Sequence, residues 1–450
     1  MISKFSLYDF KALKEAKDIE IKPITVICGK NSIGKSSIIQ SLLLLKQTLD
    51  KPIFAESELS LEGDYLHYSH LADISYNLPH PNIAKIKYTF DLIDKDNQFG
   101  EISFSFKQSA QSKKSKFGPY VSEISWIDGE SNNTIKLEKD DLIVKKSLLS
   151  RLLKKDLFKN KDASNINSLT YGKLNLFHFF PNEIELFYQN SKDSQPTRFH
   201  YNSKLINFCR DLYSELKNIS YLGPLRATPQ RAYLSFSGQF NDLLADGSNI
   251  AQYMWQNREK RVVLDGSDYN FLDAVNHCLS LMQLDQKITI KRTNRILYQI
   301  NAYIDKSMKL QVPISDIGFG YSQILPFIVK GITSEKKSIT IFEQPELHLH
   351  PSSAGSIADL LILFAKNGKR SIIETHSPDL INKLRLRVIQ APELKEIINI
   401  IFLDKTTDNK TFIRQLKLDE NGMPPEWPEG FIDDSQKLAQ HLITARIKRS

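Results

Sequence analysis

Apolar and polar residues alternate at the start of the chain, and two stretches rich in apolar residues follow. The alternating stretches are residues 2–10 and 19–22, and after Pro23 come a short apolar stretch at 24–27 and a longer one at 36–45 that ends in four leucines. Alternation with a period of two is typical of a strand with one buried face, and a long apolar run is typical of a buried helix. The pattern therefore predicts two strands in a hairpin, a short buried strand and a helix that ends near Leu49.

Both kinds of pattern recur further along the chain. Strand-like stretches cover 86–92, 102–106, 287–290, 297–304, 338–343 and 370–374, and helical stretches cover 203–216 and 324–332. We therefore expect an α/β fold with a mixed sheet, in which a helical insertion separates two sheet-forming parts.

The segment from 107 to 162 is strongly basic. It holds 13 Lys and Arg against 8 Asp and Glu, a net charge of +5 out of the +8 of the whole chain. Apolar residues at 144, 148, 149, 152, 153 and 157 have helical spacing and predict a basic amphipathic helix. This helix would lie on a phosphate backbone, or it would pack one face and expose the other to solvent. The candidate nucleic-acid contacts are Lys145, Lys146, Arg151, Lys154 and Lys155.

Composition indicates a globular protein with room for two or three domains. The chain has 450 residues, of which 41% are apolar and 25% charged. Its three cysteines are far apart and form no CxxC pair, so neither a disulfide framework nor a structural zinc site is indicated. No apolar run reaches the roughly 18 residues of a membrane span, and no signal-peptide core is present. We therefore expect a cytoplasmic protein without a membrane partner, whose mild positive charge permits binding to nucleic acid without requiring it.

Residues 29–36 fit the phosphate-binding pattern GxxxxGK[ST] in full, between the predicted strand and the predicted helix. In such a loop, backbone N–H groups surround the phosphates of ATP or GTP, and the helix N-terminus adds its dipole. Lys35 would reach the β- and γ-phosphates, and the Ser36 hydroxyl would hold Mg²⁺. The predicted nucleotide-binding residues of this loop are Gly29, Lys30, Asn31, Ser32, Gly34, Lys35, Ser36 and Ser37.

The C-terminal third carries further candidate residues at strand ends. The strand at 338–343 ends in Glu343, where a Walker B acid would hold Mg²⁺. The glycine-rich turn at 316–323 leads into a helix and forms a second anion-binding helix N-terminus. The strand at 370–374 is followed by His376, at the edge where α/β proteins bind ligands. On the rigid loop at 221–233, two arginines, Arg226 and Arg231, would meet phosphate or form surface salt links.

The order of these motifs resembles that of the ABC-type ATPase heads of the SMC and RecF class. More closely, the chain is similar to the bacterial predicted ATPases of the AAA-15 and OLD-like group. The resemblance lies in "GKNSIGKSSIIQSLLLLKQTL", "YLGPLR", "DIGFGYSQILP", "FEQPELHLHP", "ETHSPDLI" and the tail "EWPEGFIDD". It implies an ATPase head in parts 1–106 and 286–450, with a mainly helical basic insertion at 107–285.

The resemblance also implies a head-to-head homodimer, or a larger assembly, that encloses ATP and Mg²⁺ between subunits. Gly320, Ser322 and Gln323 of one subunit would then contact the nucleotide held by Lys35 of the other. Glu343 takes the Walker B place and His376 the switch place. Residues 348–350 take the place of the loop that crosses between subunits, although His348 and His350 are also interpretable as a metal pair.

One position departs from the pattern of ABC-type heads. Those heads have a catalytic Glu directly after the Walker B acid, where this chain has Gln344. An amide positions water through hydrogen bonds but is a poor base, so either hydrolysis is slow or Glu346 supplies the carboxylate. We place the counterpart of the ABC glutamine loop at 65–73, where the chain has Ser69 and His70 in place of the glutamine.

Three functions remain open at this point. The first is an ATP-dependent switch, resembling the ATPase subunit of Septu-type anti-phage systems, which works with a separate HNH-type nuclease and in some systems with a retron. The second is a RecF-like repair ATPase that clamps DNA, and the third is an ATP-bound scaffold with little turnover. An ABC transporter motor is the weakest alternative. Because the residues after His376 hold no spaced acidic cluster suited to two metals, we expect the chain not to cut nucleic acid itself.

Overall fold

The computed structural model describes residues 1–52, 58–93, 99–108, 118–128, 131–138, 141–145, 169–188, 197–199, 204–236, 238–305 and 307–424. The chain forms two compact units that are interleaved along the sequence. The first unit comprises residues 1–20, 36–218 and 405–412, and the second comprises residues 21–35, 219–404 and 413–450.

The described residues form strands throughout the chain. The strands are β1 (Ile2–Phe10), β2 (Leu13–Glu20), β3 (Ile24–Gly29), β4 (Lys85–Ile93), β5 (Phe99–Lys107), β6 (Tyr120–Asp128), β7 (Ser131–Glu138), β8 (Asp141–Lys145), β9 (Leu169–Phe177), β10 (Phe180–Tyr188), β11 (Thr197–Phe199), β12 (Ser220–Leu222), β13 (Tyr233–Leu234), β14 (Arg261–Leu264), β15 (Ser267–Asn270), β16 (Ile288–Asn294), β17 (Leu297–Tyr303), β18 (Gln311–Pro313), β19 (Ile339–Glu343), β20 (Arg370–Glu374), β21 (Ile398–Lys405) and β22 (Thr411–Leu416).

Helices are fewer in the described part of the chain and lie mostly in the second unit. The helices are α1 (Lys35–Asp50), α2 (Lys204–Lys217), α3 (Ile250–Asn257), α4 (Phe271–Leu281), α5 (Phe319–Thr333), α6 (Pro351–Lys366) and α7 (Pro378–Gln390). Short 3-10 helices cover Leu71–Ile74, Pro81–Ile83, Ile314–Asp316 and Pro392–Ile397.

A ten-stranded antiparallel sheet dominates the first unit, in the order β11-β10-β9-β8-β7-β6-β5-β4-β1-β2. Aromatic residues at every second position of β4 and β5 turn to one face because successive side chains of a strand point to opposite sides. Phe104 and Phe106 make edge-to-face contacts with Phe179 at 5.4 and 5.6 Å between ring centroids. These buried rings form an aromatic core on one face of the sheet.

A six-stranded sheet forms the centre of the second unit, in the order β12-β19-β20-β3-β21-β22. The neighbours from β12 to β21 pair in parallel, and β3, β19 and β20 are buried along their whole length, as continuous apolar strands in parallel sheets are. Phe327 of α5 lies against Phe342 of β19 and Phe364 of α6, so both helices pack on this sheet. Smaller sheets of β13-β17-β16 with β18, and of β14 and β15, belong to the same unit.

The predicted α/β class and the mixture of parallel and antiparallel sheets are confirmed. The hairpin is present as β1 and β2, the phosphate-loop strand as β3, and the helix after it as α1. The strands at 86–92, 102–106, 287–290, 297–304, 338–343 and 370–374 and the helices at 203–216 and 324–332 also correspond to observed elements.

The mainly helical character predicted for 107–285 is wrong for the part of that range the structure describes. Strands β6 to β15 lie there, with α2, α3 and α4. The predicted basic helix begins wrongly as well, because Val144 and Lys145 are the last two residues of β8. Buried Leu142 and Val144 alternate with the less buried Ile143, which is the period of a strand.

Other predictions lie outside the described residues. These include the remainder of the basic helix, with Lys146, Arg151, Lys154 and Lys155, and the tail at 426–434. The boundaries 1–106, 107–285 and 286–450 stay a prediction. Among the described helices, none combines the length and the apolar character that a membrane span requires.

Candidate functional site

The order of strands in the six-stranded sheet brings distant parts of the sequence to one edge. In the parallel register, Glu343 of β19 pairs with Glu374 of β20, and Glu374 pairs in turn with Ile27 of β3. Parallel strands end on the same side, so the phosphate loop after β3 lies beside the residues that follow β19 and β20. This is the edge where open α/β sheets bind ligands.

The phosphate loop has a backbone that its glycines make possible. Gly29 and Gly34 have φ values of +143° and +103°, and a Cβ atom on Gly29 would lie 2.5 Å from the Leu403 carbonyl oxygen. Lys35 is 4% exposed, and its Nζ donates hydrogen bonds to the carbonyl oxygens of Gly29 at 3.0 Å and Lys30 at 2.6 Å. The ammonium group therefore lies inside the loop.

Burial lowers the pKa of Lys35, and the negative charge of Glu374 opposes that shift. Lys30, Asn31 and Ser32 are exposed on the outer part of the loop, Ser36 is half-buried and Ser37 is buried at the start of α1. The loop thus combines a buried cation with accessible backbone, which is the arrangement that phosphate binding requires.

Glu343, the predicted Walker B acid, is the last residue of β19 and is only 8% exposed. Burial raises its pKa to about 7, and the neighbouring charge of Glu374 contributes to the increase. The Tyr221 hydroxyl donates a hydrogen bond of 2.9 Å to Glu343 Oε1, and this bond acts in the opposite direction on the pKa. Tyr221 therefore orients the carboxylate and favours its charged form.

Glu374 belongs to the site although the sequence did not single it out. It ends β20, is 3% exposed, and its charge acts on both Lys35 and Glu343. The signal that would have found it is a carboxylate at the C-terminal end of a predicted strand, which is also the signal that identified Glu343.

Glu346 has a carboxylate group that hydrogen bonds fix in place. The Thr375 hydroxyl donates to Glu346 Oε1 at 2.6 Å, and the backbone N–H of His376 donates to the same oxygen at 2.9 Å. The other oxygen, Oε2, is buried and has no hydrogen-bond partner among the described residues. Two hydrogen bonds thus fix one oxygen of the carboxylate.

Gln344 forms the turn between β19 and Glu346. Its φ is +44°, and its backbone N–H donates to the Glu374 carbonyl oxygen at 2.8 Å. His376 has an exposed side chain whose pKa is lowered by partial burial and by the charge of Lys35, while Glu346 opposes the shift. The neutral imidazole is therefore favoured at this edge of the sheet.

The two arginines of the 221–233 loop have different surroundings. Arg231 is 78% exposed and forms a surface ion pair with Asp316 at 3.1 Å. Arg226 is 8% exposed, and its Nη2 donates to the carbonyl oxygens of Glu343 and Gln344, both at 3.3 Å. The expected surface salt link is therefore observed for Arg231, whereas Arg226 is part of the site.

The predicted signature residues lie at the start of α5. Gly318 caps this helix with φ +108°, Gly320 is half-buried, and Ser322 and Gln323 are buried. A Cβ atom on Gly320 would lie 3.6 Å from a methyl carbon of Leu349 and 4.0 Å from the His348 carbonyl oxygen. Gly320 therefore lies beside the 348–350 loop, and the role of the signature toward a nucleotide stays a prediction.

The remaining candidates have local structural contacts. His350 caps α6, and its Nδ1 is 2.8 Å from the Ser352 hydroxyl. Across the described ranges, no group of three or more His, Cys, Asp or Glu side chains is arranged to hold a metal ion. The backbone N–H groups of Ser69 and His70 both donate to Asp73 Oδ2, and the assignment of 65–73 to a glutamine loop stays a prediction.

Comparison with known proteins gives one family and one curated relative. The family model described as "AAA ATPase domain" matches residues 1–381. The Old nuclease of Escherichia phage P2 is 22% identical over 402 residues, which cover 85% of this chain and 57% of that protein. The chain thus spans less than two thirds of the length of this relative. The two matches confirm the resemblance to AAA-15 and OLD-like ATPases.

Solved structures with similar overall folds include heads of SMC proteins. One is an SMC head bound to the C-terminal winged-helix domain of ScpA, with a TM-score of 0.46, 12% identity, and coverage of 93% of this chain and 98% of that chain. Another is the SMC head domain from Thermotoga maritima, with a TM-score of 0.42, 11% identity, and coverage of 95% and 99%. With TM-scores below 0.5, neither likeness carries an argument about this chain.

Proposed function

This chain belongs to the family of AAA ATPase domains, and from that premise we propose that it binds ATP with Mg²⁺ and hydrolyses it at the edge of the six-stranded sheet. The observation that carries the proposal is the register of β19, β20 and β3, which aligns Glu343 and Glu374 beside the phosphate loop. A buried lysine, a Walker B acid and a held carboxylate at one sheet edge are the parts that phosphoryl transfer requires.

The described residues fit a magnesium nucleotide. The loop carries two glycines in conformations that open its backbone to phosphate, and Lys35 provides a buried positive charge. Ser36 and Glu343 supply the oxygen ligands that Mg²⁺ prefers. When bound, the ion neutralises phosphate charge and polarises the phosphoryl group.

We assign the role of general base to Glu346 and not to Gln344. The two hydrogen bonds to Glu346 Oε1 fix the carboxylate, and the buried Oε2, which has no hydrogen-bond partner among the described residues, would accept a hydrogen bond from the attacking water once the nucleotide is bound. Gln344 shapes the turn through its left-handed backbone and its hydrogen bond to Glu374. His376, which contributes its backbone N–H to Glu346, would contact the γ-phosphate with its exposed imidazole.

At the level of the assembly, we propose a homodimer, or a larger oligomer, in which Gly320, Ser322 and Gln323 of one subunit contact the nucleotide of the other. The assembly controls a partner nuclease of the HNH type in anti-phage defence, with DNA or retron nucleic acid as a further ligand. Support comes from the motif order and from the similarity to the Old nuclease of Escherichia phage P2. The alternatives are a RecF-like DNA clamp without a nuclease partner and an ATP-bound scaffold.

Phosphate release from Mg-ATP tests the site. We expect the wild-type chain to turn over and Lys35→Ala, Ser322→Arg and Glu346→Gln to lose activity. Glu335→Gln, an exposed carboxylate after α5, serves as the matched control and should keep wild-type activity. Activity that appears only in Gln344→Glu would mean that ATP is a structural ligand, and would favour the scaffold.

Two further experiments address the partners. Purified chain carrying an affinity tag should retain an HNH-type nuclease encoded next to it, and nuclease activity in the chain alone would contradict the division of labour. Direct DNA binding should weaken with salt and with charge reversal at Lys145, Lys146, Lys154 and Lys155. DNA affinity that does not change with salt or with these substitutions would show that the basic segment does not bind DNA.

A further inference from the structure

Arg226 is a buried cation with unused hydrogen-bonding capacity. Only Nη2 has partners, the two carbonyl oxygens of Glu343 and Gln344, whereas Nε and Nη1 are buried and have no partner among the described residues. A buried guanidinium with unpaired N–H groups is unfavourable for stability, and an apolar side chain of similar volume would avoid that penalty. Such a group in a native structure calls for an explanation, and a role in catalysis is one of the recognised explanations.

The loop that carries Arg226 is fixed on both sides. The N–H of Gly223 donates to the Ala245 carbonyl oxygen, and the N–H of Ala227 donates to the Asp246 carbonyl oxygen, each at 2.8 Å. The same loop begins at Tyr221, whose hydroxyl holds Glu343. Arg226 is therefore presented to the end of β19 from a rigid support.

The two carbonyl groups that Arg226 holds belong to the turn that leads to the candidate base. Gln344 adopts φ +44°, which is an unusual conformation for a residue with a side chain. Nη2 binds the carbonyl oxygens of two consecutive peptide groups, 343–344 and 344–345, and so restricts the rotation of the backbone at Gln344. Glu346 lies two residues further on. Burial lowers the pKa of Arg226 to about 10, and the negative charge of Glu346 acts in the opposite direction.

We infer that Arg226 is a positioning residue of the ATPase site, which fixes the turn after β19 through the carbonyl oxygens of Glu343 and Gln344. By fixing this turn, Arg226 keeps the Glu346 carboxylate where it accepts the hydrogen bond of Thr375 and where it would contact the reacting water. This inference rests on the proposed ATPase function and adds a residue to its machinery.

The test compares Arg226→Met and Arg226→Lys with Arg231→Met, a matched change of an exposed arginine on the same loop. We expect kcat to fall about 10- to 100-fold in Arg226→Met, as on the loss of a preorganised donor. The kcat of Arg226→Lys, which keeps the positive charge but not the planar guanidinium group, should fall less. The Kd for a fluorescent ATP analogue should stay within about twofold of wild type, because Arg226 acts through the turn and not through the nucleotide.

A double variant separates positioning from general damage to the fold. If Arg226 acts through Glu346, then Arg226→Met combined with Glu346→Gln should be no slower than Glu346→Gln alone. Additive losses, or Arg226 variants as fast as Arg231→Met, would overturn the inference. If Arg226→Met does not fold, the kcat of Arg226→Lys decides in the same way. A wild-type chain without phosphate release would instead overturn the proposed function itself.

Discussion

The hydroxyl group of Thr375 is predicted to control the activity of Glu346. Thr375 is fully buried, its hydroxyl donates to Glu346 Oε1 at 2.6 Å, and it accepts a hydrogen bond from the backbone N–H of Ser377 at 2.9 Å. Thr375→Val keeps the shape of the side chain and removes both hydrogen bonds. Thr375→Ser keeps both hydrogen bonds and removes one methyl group, so the two variants form a matched pair.

The expected magnitudes follow from these contacts. A hydrogen bond to a charged group contributes about 1.5–3 kcal/mol. If that contribution is lost in the transition state, kcat falls about 10- to 150-fold, because about 1.4 kcal/mol corresponds to a factor of ten. Thr375→Val also leaves the Ser377 N–H buried without its acceptor, which destabilises the fold by about 1–3 kcal/mol. Thr375→Ser loses about 1 kcal/mol of stability through the missing methyl group and keeps its rate.

The assay is phosphate release at saturating Mg-ATP, together with urea unfolding of each variant at the same pH. The rate should separate the two variants by at least about tenfold, which corresponds to the lower end of the hydrogen-bond contribution. Equal rates for Thr375→Val and Thr375→Ser would refute the assignment of Glu346 as the base, because a carboxylate that loses one of two donors cannot keep its position.

Three further changes test other contacts. Gly29→Ala should lower the free energy of unfolding by more than about 2 kcal/mol and abolish ATP binding, since its Cβ would lie 2.5 Å from the Leu403 carbonyl oxygen; thermal unfolding checks this. Tyr221→Phe should slow hydrolysis about tenfold, because the 2.9 Å bond to Glu343 is lost; phosphate release measures it. Burial lowers the pKa of Lys369 from 10.5 to about 8. The unfolded chain therefore binds more protons above pH 8, and wild-type stability should rise relative to Lys369→Met by up to about 3 kcal/mol between pH 8 and 10.5, as followed by urea unfolding.

Local sequence was sufficient to predict the parts of the site whose structure is local. The strand, loop and helix around Lys35 are consecutive, so periodicity and glycine spacing describe them directly. Glu343 and His376 were found in the same way, since Glu343 ends one predicted strand and His376 comes just after another. The pairing of β3 with β20 and β21 could not be predicted, because the sequence of a strand does not determine which strands lie next to it in the sheet.

The contacts that depend on strand order could not be predicted. Tyr221 meets Glu343 only because β12 lies next to β19, with Tyr221 paired to Ile341. Arg226 was noticed in sequence, but its burial follows from the same neighbourhood. The prediction of a helix in the basic segment was wrong for a different reason. A short run of apolar positions is compatible with both a helix and a strand. Pairing with a neighbouring strand decides between them, and Val144 pairs with Gly172 of β9.

The central position of β3 has a consequence for how the protein is made. This strand is wholly buried, and its Cys28 thiol contacts the carbonyl oxygen of Ile401, 373 residues further along the chain. At ribosomal speeds of about 5–20 residues per second, roughly 20 to 75 seconds pass between the synthesis of these two residues. During that time the nascent chain carries an apolar strand with both edges open, so binding of a ribosome-associated chaperone would protect it from pairing with other chains. The phosphate loop emerges early, but the complete site can form only after Glu374 has left the ribosome.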